Sequence, residues 1–152
     1  MKRIAGIVAS FILLLAAAAI GFCWWIFHAR VERTSGPVTR EVALRCLDPD
    51  LLPASAHAIQ YYCWFLEVSP GFEDWIRFEA SSEDCHALAR RLLGTTRFEP
   101  VIHPPLPNDS DRPAWFDPNP ISEGITGGKG YDGEPQVWID EKRRIFYYHL
   151  SD

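Results

Sequence analysis

The sequence predicts an α+β domain behind an amino-terminal membrane helix. Three observations predict it: an uncharged apolar run at residues 4–27, two pairs of aromatic-rich strand patterns, and one helix with both ends marked between them. The expected order in the domain is α-β-β-α-loop-β-β, a mostly antiparallel sheet of about four strands packed with one or two helices. With 152 residues, 47% of them apolar and 13% aromatic, the chain can fill one small core.

Ile4 to Phe27 carries no charge. As a helix it would be about 36 Å long, against a hydrocarbon layer of about 30 Å. Lys2 and Arg3 precede it, and Trp24 and Trp25 sit near its far end, where indole rings favour the headgroup layer. Residues 1–27 are therefore read as an uncleaved signal-anchor. A cleaved signal after Ala19 would leave Ile20 to Ile26 as a greasy new terminus, and acylation of Cys23 would follow the bulky Phe22. Positive charges nearly balance across the span, so orientation rests on the short leading tail. A domain this large crosses regardless of its charge, which favours an extracytoplasmic domain. Gly6 with Ser10, and Ala17 with Gly21, have small-xxx-small spacing, which arises readily by chance in an alanine-rich span.

Residues 28–37 read as a polar tether, and 38–152 as the domain. Val38, Val42 and Cys46 recur at four-residue spacing, predicting a short helix that stops before Asp48-Pro49. Ile59 to Val68 reads as a strand with two apolar faces, and Pro70-Gly71 as the turn after it. Trp75 to Ala80 alternates, with Ile76 and Phe78 on one face and Trp75, Arg77 and Glu79 on the other. Ser81 caps a helix in which Cys85, Leu88, Ala89 and Leu92 form one apolar stripe, and Gly94 ends it. Thr95 to Glu134 reads as a long loop holding seven prolines. Pro135 to Asp140 and Arg144 to Leu150 close the chain as two strands.

Charge excludes one function class. With Lys2 and Arg3 set aside, residues 28–152 hold 13 basic and 20 acidic groups, so the domain repels phosphate backbones and nucleic acid is a poor partner. Motifs exclude several more. There is no C-x-x-C, no H-E-x-x-H, no G-x-S-x-G and no S-x-x-K. Gly127-Gly128-Lys129-Gly130 lacks phosphate-loop spacing and reads as a mobile turn. Asp109, Asp111 and Asp117 lack EF-hand spacing. His86 beside Cys85 reads as a surface histidine, since adjacent helical residues point about 100° apart. No metal or cofactor is expected. Among the cysteines, Cys46 and Cys85 lie on apolar helix faces and are the preferred pair should the domain oxidise. Buried free thiols are the other reading.

What remains is aromatic and polar surface. Trp75, Arg77, Trp115, Phe116, Asp117 and Trp138 have the composition of a recognition patch. The competing reading folds the proline-rich loop over that sheet face and buries these rings as a second core.

Leu52-Pro53-Ala54-Ser55-Ala56, Ile76-Arg77-Phe78-Glu79-Ala80, Glu83-Asp84-Cys85, Trp115-Phe116-Asp117-Pro118, Pro135 to Asp140 and Phe146-Tyr147-Tyr148 together resemble a group of small bacterial envelope proteins with no established activity. The resemblance covers residues 46–150. It implies an envelope location and carries over no catalytic residue.

The function expected is a non-catalytic, membrane-anchored module that binds a protein or envelope partner. One version is an immunity-type protein that blocks a basic toxin. The alternatives are a small hydrolase using Asp117 with His103 or His149, and an accessory subunit docking through its transmembrane helix.

Overall fold

The structure is a computed structural model that describes all residues except 1, 29, 35, 67–70, 96, 106–111 and 130–132. In the first helix the described side chains are those of residues 12–25. The turn expected at Pro70, the acids Asp109 and Asp111, Gly130, and the side chains of Gly6 and Ser10 lie outside the described set.

Helix α1 (Lys2–His28) leads directly into strand β1 (Arg30–Thr34). Residues 30–34 of the expected tether form strand β1, paired to β2. Among the described residues, no helix is long and apolar enough to cross a membrane. Helix α2 (Arg40–Ala43) is a single turn, buries Ala43 and leaves Val42 exposed. The four-residue spacing of Val38, Val42 and Cys46 misplaced the stripe: the residues buried here are Ala43 and Leu47. Arg40 ties the following connector down, donating from Nε to the carbonyls of Leu52 and Pro53 at 3.3 and 3.2 Å.

The sheet has seven strands, not four: β1, β2 (His57–Leu66), β3 (Phe72–Glu79), β4 (Glu99–Val101), β5 (Gly124–Gly128), β6 (Gln136–Asp140) and β7 (Ile145–Ser151). Their order is β1-β2-β3-β7-β6-β5-β4, and every neighbouring pair is antiparallel. The three strands missed from the sequence are short and polar, or rich in glycine and proline. Gly127 and Gly128 belong to β5 and are not a mobile turn. A Cβ at Gly124 would stand 2.3 Å from the Ile139 carbonyl oxygen on β6, so only glycine permits that approach.

Helix α3 (Ser82–Leu93) matches its sequence signals. Ser81 Oγ accepts from the Asp84 N–H at 3.2 Å, and Gly94 turns left-handed at φ +59°. The cap contributes about 1 kcal/mol. Cys85, Leu88 and Ala89 are buried, and α3 with α2 covers one sheet face. There Ile59, Ile76, Phe78, Val137, Ile139 and Phe146 form the main core.

The opposite face carries a second core. Trp75, Phe116, Ile121, Trp138, Ile145 and Tyr147 are buried together, with Trp115 packed at the margin. Phe116 meets Trp75 edge-on at a centroid distance of 4.7 Å and Tyr147 at 5.4 Å. The proline-rich segment therefore folds over the sheet as a cover. Pro113 and Pro118 help it do so, because their carbonyls accept from the N–H groups of Phe116 and Ile121 in tight turns.

Candidate functional site

Strand register gives the sheet two distinct ends. Arg30 pairs with Leu66, and Phe65 with Phe72, so the end of α1 adjoins the start of β3. His57 pairs with Glu79, which pairs with Ile145, at the far end. Eight residues of β3 at about 3.3 Å each separate the two ends by roughly 23 Å.

The far end holds a polar cleft of about 250 Å³ lined by Ser55, His57, Glu79, Ala80, Ser81, Arg143 and Arg144. Its walls are fixed by three devices. A bulge in β2 between His57 and Gln60, with Ala58 at φ +48°, sets His57 opposite Glu79. The β6–β7 turn is held by Asp140, which is buried and accepts from the backbone N–H of Arg143 at 2.8 Å and from its guanidinium. Glu141 pins the same turn to α3, accepting from Ser82 Oγ at 3.1 Å and meeting His86 Nε2 at 2.6 Å. His86 is thus half-buried and bound to an acid on the neighbouring turn, not a free surface histidine.

Within the cleft most charges are matched. Glu79 lies 3.6 Å from both His57 Nε2 and an Arg77 guanidinium nitrogen. Arg143 is held charged by its hydrogen bond to Asp140, with further support from Tyr147 and Asp117, despite partial burial. Ser55 Oγ donates to Asp84 and accepts from the Ser81 N–H, while the His57 ring turns its Nδ1 to the Ser55 carbonyl at 3.1 Å. Among the described residues of the cleft, no hydroxyl is hydrogen-bonded to an imidazole. Among the described residues no acid pairs with Arg144.

A second polar cluster sits at the α1 end. Glu73 and His149 are both buried, with Oε1 and Nε2 3.3 Å apart. Trp64 donates its indole N–H to Glu73 Oε2 at 2.8 Å, and the Trp75 ring stacks on His149 at 3.7 Å. Next along β3, on the other face, Asp74 has its carboxyl pushed up to about 6 by burial and by the Glu73 charge, with His149 opposing.

The residues singled out in the sequence separate into two groups. Trp75, Phe116 and Trp138 are core, at 0%, 0% and 3% exposure, so for these three the second-core reading holds and the recognition-patch reading does not. Their rings face a loop whose tertiary position no local pattern reveals. Arg77, Trp115 and Asp117 are half-buried; Arg77 borders the cleft through Glu79, and Asp117 Oδ1 accepts from the Asn119 N–H at 3.1 Å. Asp117 orients neither histidine of the hydrolase reading. His149 faces Glu73, and His103 Nδ1 donates to the Asn119 carbonyl at 2.9 Å.

Cys46, Cys63 and Cys85 are free thiols, so the Cys46–Cys85 bridge is not formed. Cys46 shares a hydrogen bond with Tyr61, which raises that phenol to about 12. Burial pushes Cys63 to about 11 and Cys85 to about 12. Among the described residues, no three acid, histidine or cysteine side chains converge as a metal site.

The cleft residues Ser55, His57, Arg143 and Arg144 were missed because they flank turns in two segments far apart in the chain, and only sheet register joins them. Neither protein-family models, nor curated proteins, nor solved structures gave a match to this chain.

Proposed function

We propose that this chain is a single-pass membrane protein whose α+β domain is held outside the cytoplasm and works as a non-catalytic binding module. One observation carries the anchoring. Ile12, Leu13, Leu14 and Leu15 are each more than half exposed, and four successive residues span a full helical turn. A helix apolar all round has no face that water accepts and none turned to the domain, which is the pattern of a segment built for lipid. Residues 4–27 supply the length. Trp24 and Trp25 supply an interfacial belt where the domain begins.

The binding role is supported by the placement of the cleft. Strand β1 follows α1 almost without a linker, so the α1 end of the sheet lies next to the bilayer and the cleft end points away. The pairing of its side chains with one another supplies rigid recognition groups and no activated nucleophile.

Orientation and anchoring are tested by Ala87→Cys, on the exposed face of α3, in cells whose outer envelope is permeabilised. A membrane-impermeant maleimide is expected to label this variant without lysis, while the parent chain stays faint. Labelling only after lysis would place the domain in the cytoplasm. Removal of residues 2–28 is expected to move the domain from the membrane fraction to the soluble one.

A further inference from the structure

The far-end cleft holds one arginine that no acid neutralises directly. Arg143 is matched by Asp140, and Glu79 is matched by Arg77 and His57. The Asp84 carboxylate behind Ser55 is met by a hydroxyl, while Arg144 has no acid partner among the described residues. Its position is also held at a cost. Arg144 adopts φ +57°, a left-handed conformation that glycine or asparagine would occupy more easily, and its carbonyl accepts from the Ala80 N–H at 3.1 Å. Ala58, at φ +48°, lies outside the lining but next to its residue His57. Backbone held in this region is found at sites that bind ligands.

We propose that the cleft is a binding site for a small monoanionic carboxylate, with Arg144 as the principal charge partner and the Ser81 hydroxyl as a further donor. This rests on the binding-module reading and names the ligand chemistry of the site. A guanidinium fork matches the two oxygens of a carboxylate. Ser81 Oγ already accepts from Asp84, and its own O–H remains available to donate. With Glu79 in the wall and Asp84 behind Ser55, the cleft selects a monoanion over a phosphate dianion, whose second charge would meet these acids. About 250 Å³ admits an acylated amino acid, whose carboxylate would reach Arg144.

Titration calorimetry on the full chain in detergent micelles tests this with N-acetylalanine, N-acetylalaninamide and inorganic phosphate as probes. N-acetylalanine is expected to bind at millimolar concentration, with its amide and phosphate at least about tenfold weaker, the factor a charge-assisted hydrogen bond supplies. Arg144→Gly is expected to weaken the acid by at least about tenfold while its unfolding midpoint stays level or rises, because glycine relieves the left-handed strain. Equal binding of acid and amide would overturn the proposal. So would an Arg144→Gly chain that binds like the parent, tighter binding of phosphate, or no binding of any probe. Because micelles carry no sidedness, the carboxylate result stands or falls apart from the maleimide result on orientation.

Discussion

Glu73 and His149 meet at 3.3 Å across strands β3 and β7, at 2% and 5% exposure, with Trp64 and Trp75 closing over them. The pair sits at the α1 end of the sheet, in line with the first residues of β1. A buried acid stripped of one partner keeps its desolvation cost and loses its compensation, so the pair is expected to be sensitive to removal of either side.

Glu73→Ala is therefore expected to destabilise the domain by about 3–5 kcal/mol. It leaves His149 and the Trp64 indole N–H facing a void. Glu73→Gln keeps the shape and an acceptor oxygen, and should cost less than half as much. Urea denaturation of the detergent-solubilised chain, followed by tryptophan fluorescence, measures both. An alanine variant within about 1 kcal/mol of the parent would show that the pair is not structural.

Asp74 makes stability fall as pH rises. Its carboxyl titrates near 6 when folded, raised first by burial and then by the Glu73 charge, against the ordinary aspartate value of 3.8. Between those values the folded state holds a proton that the unfolded state has released, so unfolding free energy declines with pH across that window and is level above it. The loss amounts to about 3 kcal/mol. Asp74→Asn should flatten the slope and raise stability at pH 7 by about 1–2 kcal/mol, checked by urea midpoints at a series of pH values.

Phe116→Ala separates the two readings of the aromatic residues. As the hub of the second core it should cost about 3–5 kcal/mol. Trp115→Ala, at the half-buried margin, should cost clearly less. A patch built for a partner would show the reverse pattern, with small stability effects throughout.

Thiol reactivity follows burial. Cys63 and Cys85, raised to about 11 and about 12, should resist iodoacetamide at pH 8 in the folded chain and react fully in denaturant. Mass spectrometry of the alkylated peptides reads this site by site. Prompt labelling of Cys85 in the native chain would contradict its placement on the buried face of α3.

Gly128→Ala and Gly94→Ala give a backbone test. A Cβ at Gly128 would fall on the Pro135 carbonyl, whereas at Gly94 it would meet nothing within 4 Å. Gly94→Ala should cost about 1 kcal/mol, from the left-handed conformation alone. Gly128→Ala should exceed that severalfold and displace β5, visible as loss of protection in hydrogen exchange.

Legibility in this sequence followed the range of the interactions. Helix α3 was readable end to end because its cap, stripe and glycine stop lie within fourteen residues of one another. Strand β3 was readable because burial on a sheet face writes a period of two into the chain, and Ile76 and Phe78 indeed face the core opposite Trp75. Strands β2, β6 and β7 were readable as short apolar, aromatic-rich runs, because the sheet is covered on both faces there. Strands β1, β4 and β5 left no such trace. Their backbones are ordered by hydrogen bonds to neighbours far along the chain, so Arg-Val-Glu-Arg-Thr and Gly-Ile-Thr-Gly-Gly need no apolar alternation. The same reason governs the site. Sequence alone determined the apolar amino-terminal helix, the α+β class and the acidic character of the domain. Only tertiary structure decided that Trp75, Phe116 and Trp138 turn inward, and that Ser55, His57, Glu79 and Arg144 share one cleft, because register between distant strands sets which side chains meet.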